Sequence, residues 1–231
     1  GHRRRRQVMA MGIERARVIE VHARDSPTTR VGAGYQVGDR LVLTFGRIVG
    51  RDGPTAVRPG GTAVWVTSSV VWRAADGRTA VLEVDDPSVL MLSPGALRWG
   101  RVSGRGPVAV TAIGFASAHV RPERARDPVQ FLGRLTPVGG TADVPTLAVT
   151  AGGTGGRPDD GMSGAALFAG PHLVGVLAVG AGDDDRIRLS AVPIAAIATD
   201  PGFVRLLGGT EGLALTAVSA PWSGLPILQM P

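Results

Sequence analysis

The chain has no cysteine, no lysine, a single tyrosine and no uninterrupted apolar run long enough to cross a membrane. Without cysteine, neither disulfides nor thiolate metal sites can hold the fold, and a reducing, cytoplasmic compartment is expected. Without lysine, every basic side chain is arginine, which raises the isoelectric point without marking out a basic surface. The formal charge is +6, but Arg3 to Arg6 supply four of those charges and leave +2 for everything else. Nucleic-acid binding needs a basic stripe over the fold, and none is visible, so neither nucleic acid nor membrane is an expected partner. The apolar stretch from Val8 to Ile13 is too short and too broken for a signal-peptide core.

What the chain has in abundance is glycine, with 34 residues, and proline, with 17, set among 44% hydrophobic residues. Short apolar or alternating runs separated by turn formers indicate an all-β chain. Such runs occur at Ala16 to His22, Arg40 to Leu43, Thr62 to Val66, Val70 to Arg73, Ala80 to Val84, Val108 to Gly114, Gln130 to Thr136, Thr146 to Val149, Ala165 to Phe168, Leu173 to Val179 and Arg186 to Leu189. Helical pattern is confined to Val192 to Ala198 and Phe203 to Leu207, with Asp200-Pro201 expected to break between them. Residues 1 to 15 read as a disordered leader, with Gly1-His2 as an expression scar. A single domain is expected over 16–209, and 210–231 reads as an apolar tail or linker. The turn-rich stretch near 88–106 divides the domain into a first half at about 16–90 and a second at about 105–190, followed by a helix at about 192–207.

The most informative segment is Asp159-Asp160-Gly161-Met162-Ser163-Gly164-Ala165-Ala166-Leu167-Phe168, a Gly-x-Ser-Gly loop leading into an apolar strand. Upstream, Gly32 to Val49 contains Leu41-Val42-Leu43-Thr44-Phe45-Gly46-Arg47-Ile48-Val49, and a third segment reads Arg78-Thr79-Ala80-Val81-Leu82-Glu83-Val84. In this order the three segments resemble the serine, histidine and aspartate motifs of the trypsin-like serine peptidase family. In detail they are similar to trypsin-like domains of bacterial, actinobacterial regulatory and defence proteins. The resemblance runs from about Val18 to Leu207 and implies two six-stranded antiparallel Greek-key barrels with the site in the cleft between them and a C-terminal helix. It also implies that Arg47 stands at the histidine position, Arg78 at the aspartate position, Gly161, Met162 and Ser163 in the oxyanion loop, and the strand Val176, Leu177, Ala178, Val179 and Gly180 at the peptide-pairing edge. The other Gly-x-Ser arrangement, the α/β-hydrolase elbow, requires Gly-x-Ser-x-Gly between a strand and a helix, whereas Ala165 fills its fifth position and a strand follows.

A serine hydroxyl becomes a useful nucleophile only when a base takes its proton, and arginine stays protonated up to a pKa above about 12. Rescue would require another base. His22, His119 and His172 are the only histidines outside the scar, and none stands at the base position of the resembled motif. Asp76, two residues before Arg78, is a candidate carboxylate. Asp159 and Asp160 read as turn formers, and Asp183 to Asp185 lack the spacing of a cation loop, so no metal and no cofactor are expected.

These residues lead to the expectation of a pseudoprotease: a catalytically inactive trypsin-like domain that binds a peptide or protein, including other domains of a longer parent chain, as a sensory or scaffolding module. The alternatives are a serine hydrolase using Ser163 with an unorthodox base, and a purely structural domain with a closed cleft. A cleft that carries Arg47 and Arg78 is also a candidate for holding an acidic group.

Overall fold

The computed structural model describes residues 14–25, 28–50, 54–90, 95–104, 106–116, 124–138, 146–151, 160–181 and 187–220. Its first six strands are β1 (Val18–Asp25), β2 (Thr28–Gln36), β3 (Leu41–Phe45), β4 (Thr55–Pro59), β5 (Val66–Arg73) and β6 (Thr79–Val84). They close an antiparallel barrel in the order β1-β2-β3-β6-β5-β4, with β1 returning to β4. Ala80, Val81 and Leu82 of β6 are buried on both faces, which is why this strand reads as a continuous apolar run rather than an alternation. The β5–β6 turn rests on Asp76-Gly77: Gly77 has φ +68, a backbone angle that side-chain-bearing residues seldom adopt.

The second half contains β7 (Arg98–Val102), β8 (Val108–Gly114), β9 (Val129–Val138), β10 (Thr146–Ala151), β11 (Ala166–Ala169), β12 (His172–Ala181), β13 (Ile187–Pro193) and β14 (Thr216–Val218). Because β11 pairs with both β8 and β12, the order β11-β8-β9-β10-β13-β12 returns to its start as a ring of antiparallel strands. The expected all-β architecture is therefore present, with two additions. β7, inside the stretch read as a linker, pairs parallel with the start of β12, and β14, inside the stretch read as a tail, pairs parallel with β7. Such pairings join segments far apart in sequence and leave no local signature.

Two other elements depart from expectation. Residues 62–65 are not a strand, because Gly60-Gly61 turns the chain with φ +80 at Gly61 and Thr62 Oγ1 donates to the Pro59 carbonyl at 2.9 Å. The loop so formed carries Trp65 over the Arg58 guanidinium, 4.3 Å from the ring centre. The helix expected at 192–207 is mostly absent: β13 runs to Pro193, a 3-10 turn occupies Ile194–Ala196, and the one α-helix, α1, is Pro201–Leu206. The break expected at Asp200-Pro201 falls between that turn and α1, where Asp200 caps the start of the helix. Asp200 accepts hydrogen bonds from the N–H groups of Gly202 and Phe203, and Pro201, which lacks an N–H, sits where none is needed.

The halves are held together by side chains that cross between them. The indole N–H of Trp72, on β5, donates to Asp200 at 3.0 Å, and its ring packs on Phe203 at 5.0 Å. Tyr35 meets Phe168 edge-on at 5.2 Å. Burying an aromatic side chain as completely as Phe203 is contributes roughly 2–3 kcal/mol. The same contact includes a charge cluster: Glu20, on β1, accepts from Arg58 of β4 at 2.7 Å and from Arg126, which lies between β8 and β9, at 2.6 Å. Glu20 is 2% exposed, Arg58 1% and Arg126 7% at the side chain. Arg58 also donates to the Arg124 carbonyl at 2.7 Å, and Arg126 to the Ala116 carbonyl, so this part of the interface is polar and hydrogen-bonded.

Candidate functional site

The serine loop begins with a 3-10 turn, Asp160–Met162, closed by a hydrogen bond from the Ala165 N–H to the Met162 carbonyl at 3.0 Å. Gly164 follows Ser163 with φ +86, and a Cβ there would lie 2.0 Å from the Ala33 carbonyl oxygen and 2.6 Å from Thr44 Oγ1. Only glycine meets both demands, so the loop can lie flat against β2 and β3. The Ala33 N–H donates to the Ser163 carbonyl at 2.6 Å, and Thr44 Oγ1 donates to the Ala33 carbonyl at 2.7 Å. On the other side, the Gly164 N–H donates to the Leu177 carbonyl and the Leu177 N–H to the Ala165 carbonyl, each at 2.8 Å. Ser163 is thus pinned between a strand of the first barrel and a strand of the second. Gly161, Met162 and Ser163 are all buried, with Ser163 8% exposed.

The Ser163 hydroxyl faces the main chain of β12. It receives the Val179 N–H at 3.3 Å and points at the Val179 carbonyl at 3.4 Å, both long for hydrogen bonds. No described histidine is placed to take its proton. His172 lies seven residues before Val179 on the same strand, about 23 Å away at the rise of an extended chain. His22 is buried on β1 with its ring packed on Trp65 at 5.2 Å. His119 lies outside the described residues.

The other two motif segments come to the same place. Ile48, beside Arg47, approaches the serine loop closely enough that its Cδ1 would be 3.0 Å from a Cβ on Gly164. The Gly46 N–H donates to the Arg78 carbonyl at 2.8 Å, so the turns bearing Arg47 and Arg78 abut. The Arg47 side chain is exposed and Arg78 is half-buried. Asp76 has a local role: it accepts the Arg78 N–H at 2.9 Å, which shapes the turn. Asp160 lies in the 3-10 turn, whereas Asp159 and Asp183 to Asp185 fall outside the described residues. Among the described residues no cluster of histidine and carboxylate side chains has metal-ligand proximity.

The expected peptide-pairing edge needs correction. Val176 pairs with Ala166 on one side and Val192 on the other, and Leu177 is bonded to the serine loop, so neither offers free backbone groups. Among the described residues no strand pairs with this side of β12 from Val179 onward, because β11 begins at Ala166 and reaches no further along it; the Val179 main chain there meets the Ser163 hydroxyl. Ala178 and Gly180 turn their backbone groups towards β13 by strand alternation.

Two arginines not singled out in the sequence belong to the site. Arg73 of β5 donates to the carbonyls of Gly46, Val49 and Gly50 at 2.7, 3.0 and 2.8 Å. Arg30 of β2, exposed, donates to the Arg47 carbonyl at 2.8 Å. Both stand outside the three motifs, and only strand register brings them to the Arg47 turn. A separate cavity of about 490 Å³ lies between the β2–β3 turn and the end of α1, lined by Asp39, Arg40, Glu83 and Leu207 among others. No residue of the serine loop reaches it. No helix among the described residues is long and apolar enough to cross a membrane.

Compared by sequence, the chain matches no family model and no curated protein. Compared by structure, it is similar to the Rv3671c protease of M. tuberculosis in its active form, with a TM-score of 0.60 and 16% identity over 88% of this chain and 86% of that one. The MamO protease domain of Magnetospirillum magneticum gives 0.59 and 19% identity over 79% of this chain and 94% of that one. The HtrA-type protease AlgW, solved with a tripeptide, gives 0.61 and 16% identity over 80% of this chain and 58% of that one. Strand order and these likenesses together establish that the chain has the trypsin-like, chymotrypsin-type fold of serine proteases, with Ser163 on the loop packed between its two halves.

Proposed function

We propose that this chain is a non-catalytic trypsin-like domain that binds an extended peptide or protein segment, serving as a sensory or scaffolding module of a larger bacterial regulatory or defence protein. The observation that carries this reading is the placement of Ser163 Oγ against the Val179 main chain, while the turn that abuts the serine loop presents Arg47 to water. A guanidinium cannot serve as general base at neutral pH, and removing triad members leaves only residual catalysis of about 10³ to 10⁴ over water. Binding by strand addition needs none of those groups. It uses backbone donors and acceptors at a strand edge, and on β12 the Val179 N–H and carbonyl are held by long contacts to the Ser163 hydroxyl that a peptide backbone can replace. The absence of cysteine supports a cytoplasmic setting.

A fluorophosphonate probe tests the reading. We expect no stoichiometric labelling of Ser163 and no peptidase or esterase turnover. Labelling at the rate of an active serine protease, lost in a Ser163→Ala variant, would instead establish a serine hydrolase with an unorthodox base.

A further inference from the structure

Four arginines from four separate segments meet around the Gly46-Arg47 turn. Arg30 reaches the Arg47 carbonyl from β2, and Arg73 reaches the Gly46 carbonyl from β5. Arg78 offers its own carbonyl to the Gly46 N–H, and Arg47 itself projects into water. No described carboxylate forms an ion pair with Arg30, Arg47 or Arg73; the carboxylate-paired arginines of the described residues include Arg17, Arg40, Arg58 and Arg126. Asp76 is the one acid in the adjoining turn, and its Oδ1 is engaged with a backbone N–H.

The uses of these side chains differ. Arg73 spans three carbonyls and so fixes the 46–50 turn. Arg30 places its guanidinium within hydrogen-bond distance of the Arg47 backbone, close enough for the two exposed side chains to face one ligand. Guanidinium pairs of this kind suit carboxylates and phosphates, which accept two parallel N–H bonds. The cluster also has a fixed relation to the open part of β12: Ile48 packs on the serine loop, and the serine hydroxyl touches Val179.

We propose that Arg30 and Arg47, held by Arg73, receive an acidic side chain of a peptide whose backbone pairs with β12 from Val179. This rests on the peptide-binding reading above and adds the charge class of the partner. A compact patch beside a strand edge fits a carboxylate-bearing peptide. A nucleic acid would call for basic side chains spread along a track that follows its backbone.

The test is fluorescence anisotropy at low salt with a labelled Val-Glu-Val-Glu-Val-Glu-Val peptide, its Gln-for-Glu counterpart and a labelled oligothymidylate. The parent protein should bind the Glu peptide at least about 10-fold more tightly than the Gln peptide, with the gap narrowing as salt rises. The Arg30→Ser, Arg47→Ser variant should bind both peptides with the weaker affinity, and Arg47→Gln alone should remove part of the preference. Equal binding of the two peptides, or a preference untouched in both variants, overturns the arginine inference and leaves the cleft reading standing. Binding of neither peptide overturns both. Binding of the oligothymidylate in place of the Glu peptide overturns the acidic-peptide assignment in favour of a phosphate polyanion.

Discussion

The arginines between the two halves and the arginines around Arg47 are the same residue type under opposite management. Arg58 and Arg126 are removed from water and share Glu20, and they also donate to the Arg124 and Ala116 carbonyls. Arg30, Arg47 and Arg73 have no described carboxylate; they use main-chain carbonyls or solvent. A buried charge must be matched, because desolvation costs several kcal/mol per ion. An exposed guanidinium carries no such requirement and stays available to a ligand. The first cluster is therefore expected to control stability, and in the second the exposed Arg30 and Arg47 to control recognition while Arg73 holds their turn.

The largest effect that tests this division is Glu20→Gln, which leaves Arg58 and Arg126 buried and facing each other. We expect a loss of about 3–5 kcal/mol in denaturant unfolding. Replacing all three residues with Leu, Met and Met should cost less than the single change, since no unmatched charge remains. A larger loss in the triple variant would mean that shape, not charge balance, sets that interface. Next is Arg73→Met, expected to cost about 2 kcal/mol through the lost carbonyl bonds and to make the 46–50 turn more susceptible to proteolysis. An unchanged unfolding midpoint and cleavage pattern would remove Arg73 from its holding role. Arg30→Ser with Arg47→Ser should leave stability within about 0.5 kcal/mol of the parent, as exposed substitutions generally do. A loss comparable to that of Arg73→Met would blur the line between the two clusters.

The smallest expected effect concerns the dry side of the comparison. Tyr35 is the only tyrosine, so absorbance titration of phenolate reads it alone. Burial raises its pKa above the ordinary 10.0, and the Glu14 N–H bond and the nearby Arg17 charge, which pull it down, do not offset that. The neutral phenol is thus favoured by folding. Its contribution to stability is complete below the ordinary phenol pKa and is lost as pH rises through the folded value. A phenolate midpoint at or below 10.0 in the folded protein would show that this side of the interface admits water.

The sequence was most legible where function and fold use contiguous residues. Gly161 to Phe168, Leu41 to Val49 and Arg78 to Val84 each form one turn with its strand, so the local pattern carries both the strand and the side chain at its end. The break at Asp200-Pro201 was legible as well, but the same pair can end one helix or begin the next, and only the cap bonds to Gly202 and Phe203 decide between them. β7 and β14 were hidden because their partners are parallel and distant. The extent of the open β12 edge depends on where β11 starts relative to it, a matter of register across the sheet.

By itself, the sequence determined that this chain is all-β, cysteine-free and built on a serine loop whose expected base position holds Arg47. Those properties depend on residue type, on alternation and on local turns. The tertiary structure decided that the Ser163 hydroxyl turns to Val179, that Glu20 bridges two arginines from different segments, and that Arg30 and Arg73 join Arg47. Each of these requires groups from segments separated by 16 to 106 residues to be brought together. No local pattern records such meetings, because they are fixed by barrel closure and strand register.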